Sequence, residues 1–275
     1  MKKMFGTTFQ QNPHDSIMEV QKPKSQPKQK PQYLFIVGCP RSGTTAMWEL
    51  LTSSSEIVLG VERYAHRVFP PFSLKPNLFE KERFLSLKNG DTFYGNLVGF
   101  NSYYSNCPKY FPSAKYVGDK IPKLYEYFDD FIKNFPKAKI IFMFRNIFDV
   151  AASYKARAED VNDDTWDRYS GVKKALEDWE YSIASYHQNK SKLKILPVCY
   201  ESLFYKKEGL DKISSFIGID SSELEDKYQN LLVRGNQLEG FRSRDLTVEE
   251  VFSISMKAPF WEYRKVMNIW RNFNS

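Results

Sequence analysis

The feature that most constrains this chain is a short apolar run that ends in a glycine-rich turn and leads straight into helical text. Tyr33–Gly38, YLFIVG, is continuous in its hydrophobicity and carries no charge. Such a run suits a strand covered on both faces, as in a parallel sheet. The turn Gly38-Cys39-Pro40-Arg41-Ser42-Gly43-Thr44-Thr45 follows, and Thr45–Thr52 has helical character. Strand, glycine turn and helix in that order make a cradle for an anion. Glycines allow the tight turn, successive backbone N–H groups converge, and the helix N-terminus adds partial positive charge.

Two further runs of the same kind set the fold class. Ala138–Phe144, AKIIFMF, ends on Arg145, with helical text before it (Leu124–Phe135) and after it (Phe148–Ala158). Leu193–Tyr200, LKILPVCY, lies between helical patterns at Gly171–Gln188 and Leu203–Ile217, although Pro197 suits a central strand poorly. Strands alternating with helices predict an α/β fold: a parallel sheet with helices on both faces, in three layers. Residues 1–31 are rich in Lys, Gln and Pro and read as a flexible tail. Residues 32–275 read as one domain, and the stretch 63–116, crowded with Pro, Asn, Gly and aromatics, reads as a lid or substrate-binding region.

Charge narrows the partners. The formal net charge of +7 suggests a nucleic-acid or membrane partner, but residues 1–31 hold six lysines against Asp15 and Glu19, a net of +4. The other 244 residues carry 34 basic and 31 acidic side chains, a net of +3, so the excess is no stripe on the folded body. Cys39, Cys107 and Cys199 are sparse, odd in number and without metal-ligand spacing, which fits a reducing cytoplasm and no metal. No apolar run approaches the roughly 20 residues of a membrane span. The opening MKKMFGTTFQQNPHD has lysines with no apolar stretch behind them, unlike a signal peptide.

The turn matches the nucleotide-triphosphatase loop G-x-x-x-x-G-K-[ST] except that Thr44 replaces the lysine. That lysine normally reaches the terminal phosphates, and an acidic residue ending a second strand helps place Mg²⁺. Here the second strand ends on Arg145, and the loop has gained Arg41. Arginines and backbone amides without a metal suit a donor other than ATP.

With these residues in view, CPRSGTT resembles the 5′-phosphosulfate loop of sulfotransferases that use 3′-phosphoadenosine 5′-phosphosulfate (PAPS), closest to the tyrosylprotein and bacterial branches. The resemblance covers about 34–219. It implies a fold like that of the P-loop nucleotide triphosphatases, with PAPS as donor and 3′-phosphoadenosine 5′-phosphate (PAP) as product. Arg41, Ser42, Gly43, Thr44 and Thr45 would form the phosphosulfate loop. FMFRNIFDVAASY is similar to the family's second element, so Arg145 and Ser153 would grip the 3′-phosphate, as suits a guanidinium and a hydroxyl. LGVERY resembles the stretch carrying the catalytic glutamate, with the loop arginine at the family spacing, which implies Glu62 as base. VGDKIP is similar to the N/D-K-x-P element, implying Lys120 at the transferring group. Tyr200 matches a cofactor-side tyrosine ending the third strand. RGNQLEGFRS resembles a GN…FR stretch with the spacing off by one residue, giving Arg242.

The chemistry implied is in-line attack by an acceptor oxygen on sulfur. Glu62 would take the proton, while Lys120 and Arg41 meet charge developing on the leaving phosphate. Read alone, Glu62 suits a surface pair with Arg63 or Arg67, and Lys120 an exposed lysine beside Asp119. His66 ranks second as a base, and His14 and His187 read as structural. A P-loop kinase or nucleotide hydrolase and a non-catalytic nucleotide-binding module stand as alternative functions. A nucleic-acid binder is the weakest. The acceptor expected is a small metabolite or natural product, sulfated on oxygen or nitrogen, with Tyr64, Phe69, Phe72, Phe93 and Tyr94 as candidate walls.

Overall fold

Five parallel strands carry the chain: β1 (Gln32–Gly38), β2 (Ile57–Val61), β3 (Tyr116–Lys120), β4 (Lys139–Phe144) and β5 (Lys194–Cys199), ordered β2-β3-β1-β4-β5. The computed structural model describes residues 30–88, 90–91, 100–163, 166–238 and 245–273. Contacts group Pro31–Ser275 into one unit. Helices described within it are α1 (Thr44–Leu51), α2 (Lys81–Leu85), α3 (Asn101–Tyr110), α4 (Phe128–Asn134), α5 (Ile147–Glu159), α6 (Val172–Asn189), α7 (Tyr200–Phe204), α8 (Leu210–Ile217), α9 (Glu225–Leu238), α10 (Val248–Lys257) and α11 (Phe260–Asn272).

The three apolar runs legible in the sequence are β1, β4 and β5. β1 is central because Leu34, Phe35, Ile36 and Val37 are fully buried, as a strand covered on both faces requires. Register places Phe35 beside Ile140 of β4 and Asp119 of β3, and Ile36 beside Ile141 and Lys120. Neighbouring residues of a strand point to opposite faces, so the two sets serve different layers. Phe35 meets Phe131 and Phe135 edge-on, and Phe142 packs on Tyr186, so α4 and α6 cover one face. On the other face Trp48 of α1 donates to the Leu59 carbonyl at 3.1 Å, and Tyr116 donates to the Ile217 carbonyl at 2.6 Å, drawing in α1 and α8. Helices on both faces of a parallel sheet are therefore present, as expected.

Two details revise the expectation. Pro197 lies in β5, which is an edge strand, so its missing N–H removes no ladder bond from the middle of the sheet. The helical pattern over Leu203–Ile217 is two helices, α7 and α8, broken at Gly209, whose φ of +101° only glycine adopts at little cost.

Candidate active site

The order of strands reverses about β1: the chain leaves it toward β2 and later crosses to β4. In such sheets the carboxyl ends of the strands open into a crevice, and here every strand end contributes to it. The loop after β1 turns on two glycines. A Cβ on Gly38 would lie 2.1 Å from the Met143 carbonyl oxygen, and one on Gly43, at φ +92°, 2.2 Å from the Tyr200 ring. Gly43 caps α1, leaving the first-turn amides of that helix without helical partners and open to an anion. Arg41, at φ +68°, and Glu62, at φ +51°, are two of three described non-glycine residues with positive φ. Such conformations cost energy and persist only where the surroundings hold them.

One cavity of about 610 Å³ is lined by Arg41, Gly43, Thr44, Thr45, Glu62, Lys120, Arg145, Ser153 and Tyr200. Residues far apart in sequence are thereby brought together. Arg41 Nε donates to Ser153 Oγ at 2.9 Å, joining the loop to α5. The Arg145 guanidinium lies 4.1 Å from the centre of the Tyr200 ring, and its NH2 donates to Asp149 (3.1 Å) and to the Tyr205 hydroxyl (2.7 Å). Arg145 is only 6% exposed, and its Nε has no hydrogen-bond partner among the described residues. Burial raises the Tyr200 phenol above its ordinary value, so it enters the site as a neutral ring.

A second group faces this arginine cluster. Lys120 Nζ is 2.5 Å from Glu62 Oε1, and Glu62 N donates to the Lys120 carbonyl at 2.9 Å. Lys120 is 3% exposed. The surface pairings that the sequence suggested are absent: Arg63 instead meets Asp91 at 3.5 Å, and Asp119 receives the Arg63 and Tyr64 backbone amides at 3.3 and 2.8 Å. Burial pushes the Asp119 carboxyl up to about 7, partly offset by those two amides.

Not every expected residue reaches the cavity. Ser42 is buried within the loop and does not line it. Arg242 lies outside the described residues, as do Phe93, Tyr94 and His14. Among the aromatic walls Phe69 lines the cavity. Tyr64 is instead core, donating to the Leu78 carbonyl at 2.8 Å, and Phe72 packs against the core. Their apolar area therefore goes to folding. His66 does not line the cavity; burial lowers its pKa, and Arg67 adds to this. His187 Nε2 lies 3.1 Å from the Glu262 carbonyl, a structural contact.

Sequence reasoning missed Arg157, Arg234, Lys123, Glu126, Trp166 and Asp178, which also line the cavity. Arg157 carried a usable signal, since it follows Ser153 by four residues on α5 and so shares its face. Arg234 carried none: α9 brings it back against α1, where it meets Glu49 at 3.1 Å. Lys123 bridges Asp178 (2.9 Å) and Glu126 (3.5 Å), and burial raises the Glu126 carboxyl.

The profile described as "Sulfotransferase family" matches residues 31–223, more than half of the chain. The chain therefore belongs to the sulfotransferase family. Two solved structures share the fold: the sulfotransferase domain from the Synechococcus PCC 7002 olefin synthase, at 17% identity and TM-score 0.51, covering 84% of this chain and 96% of that one; and mouse sulfotransferase SULT7A1 complexed with PAP, also 17% and 0.51, covering 86% and 85%. No curated protein matches the sequence. Among the described residues no helix is long and apolar enough to cross a membrane.

Proposed function

We propose that the chain transfers a sulfuryl group from PAPS to a hydroxyl, or to a nitrogen, of a small metabolite or natural product. The observation that carries this reading is the meeting of two groups in one cavity: Arg41, Ser153, Arg145 and Tyr200 on one side, and the Glu62–Lys120 pair on the other. A buried guanidinium N–H without a partner, as at Arg145 Nε, calls for an acceptor, and a phosphate meets that need. Arg145 and Ser153 would hold the 3′-phosphate, and the amides of Gly43–Thr45 with the Thr44 and Thr45 hydroxyls the 5′-end. Tyr200 walls the same side.

When bound, PAPS supplies a sulfuryl group carried on a phosphate leaving group. Glu62 would receive the acceptor's hydroxyl proton on Oε2, the oxygen that Lys120 does not hold. Lys120 and Arg41, which both line the cavity, bring positive charge to the leaving-group side. Ala65, Val68 and Phe69 supply apolar wall from the stretch 63–116, which we read as the acceptor-side cover. Free, buried Cys39, Cys107 and Cys199 accord with a cytoplasmic enzyme.

The test is a calorimetric titration with PAP and with Mg·ATP, followed by a metabolite screen with ³⁵S-labelled PAPS. PAP binding far more tightly than Mg·ATP, and a labelled product, support the reading. Tight Mg·ATP binding with no response to PAP would return the chain to the kinase alternative.

A further inference from the structure

Glu62 holds a positive φ with no glycine to make it easy, and something must keep that turn in place. Two adjacent residues of β3 do so from opposite faces of the sheet. Lys120 grips the turn on the cavity side, through its ammonium to Oε1 and its carbonyl to the Glu62 amide. Asp119, its neighbour, points to the other face, as strand alternation requires. There its Oδ2 accepts from Tyr64 N at 2.8 Å and its Oδ1 from Arg63 N at 3.3 Å. Asp119 is fully buried. Room for its carboxylate exists because position 60 is glycine: a Cβ there would sit 2.7 Å from Oδ1.

We propose that Asp119 is the positioning residue for the base, fixing the carboxylate of Glu62 toward the cavity by pinning the two amides that follow it. A buried carboxylate is expensive when it does no more than fill space, and an apolar side chain would pack on that face at lower cost. The backbone amides of residues 63 and 64 are what an apolar side chain would leave unpaired. The Lys120 contact fixes one side of Glu62; the peptide plane beyond it is held at its carbonyl by Ala65 N at 3.2 Å and at its amide by Asp119, which also takes the next amide. The role rests on the reading of Glu62 as base given above.

The experiment uses the full chain and needs no identified acceptor: single-turnover release of ³⁵S-sulfate from PAPS to water, beside the dissociation constant of PAP. Asp119→Ala should slow release by between about tenfold and a hundredfold, the range that a small misplacement of a catalytic group produces. PAP affinity should stay within about twofold of wild type, since the arginine cluster is untouched. Asp119→Asn keeps one acceptor oxygen and should fall between the two. Gly60→Ala, which crowds the carboxylate, should slow release as well, and gives a second approach if Asp119→Ala does not fold. Release within about twofold of wild type in Asp119→Ala, with Glu62→Gln slow, overturns the proposal. So does a loss of PAP binding in step with the rate across these variants, which would mark Asp119 as merely structural. Unchanged release in Glu62→Gln removes Glu62 as base, and the positioning role falls with it.

Discussion

Replacing Arg145 with Met tests the donor end most directly, because the methionine keeps the apolar stem and removes only the guanidinium. Two costs follow and can be separated. In the unliganded chain Asp149 and the Tyr205 hydroxyl lose the cation they share at 3.1 and 2.7 Å. Breaking a buried pair from one side costs about 3 kcal/mol, and the variant should melt well below wild type. With ligand, a charge-assisted hydrogen bond to phosphate is lost, worth about 1.5–3 kcal/mol net, or roughly 10- to 150-fold in affinity. The assay is titration calorimetry with PAP and with AMP, which lacks the 3′-phosphate. The ratio of the two dissociation constants cancels any general loosening of the pocket. Wild type should favour PAP by at least that factor, and Arg145→Met should bring the ratio close to one. A ratio that survives the substitution would refute the assignment of Arg145 to the 3′-phosphate, however much the variant is destabilised.

Glu62→Gln should bind PAP as wild type does and lose about 10²- to 10⁴-fold in sulfuryl transfer, read with labelled PAPS and an acceptor from the screen. Gly43→Ala puts a Cβ 2.2 Å from the Tyr200 ring at φ +92°, so it should lower the melting temperature and weaken PAP at least about tenfold by calorimetry. Burial raises Asp119 from an ordinary 3.8 to about 7, so the folded chain holds that proton more tightly than the unfolded one. Stability from this group is therefore full below about 4 and fades as pH rises through about 7. Melting curves of Asp119→Asn should shift in the variant's favour relative to wild type across that window, and a pH-independent difference would refute the burial argument.

How much of this was legible depends on what each strand end has to do. β1, β4 and β5 announce themselves because a strand covered on both faces can be apolar throughout, and the cavity residues they carry follow the strand in the next turn: Arg41 and Gly43 after β1, Arg145 after β4, Tyr200 after β5. β2 and β3 were not read as strands, and their chemistry is the reason. β3 holds Gly118, Asp119 and Lys120 in five residues; a Cβ on Gly118 would meet the Leu34 carbonyl oxygen at 1.8 Å, Lys120 holds Glu62, and Asp119 holds the two amides that follow it. β2 holds Gly60 to admit the Asp119 carboxylate. Glycine and charge are the residues that depress strand propensity, so in β3 the clamp itself interrupts the apolar pattern that reveals a strand. Glu62 and Lys120 could therefore be found by resemblance but not by periodicity. Arg234 lay beyond both, since nothing local to α9 tells where it packs; it joins the cavity only when α9 folds back on α1 and Glu49 fixes its head. The cavity is thus assembled from strands whose fold signal is strong and strands where that signal was given up to the clamp. The continuous ladder from β1 to β3 lets the first kind hold the second in register.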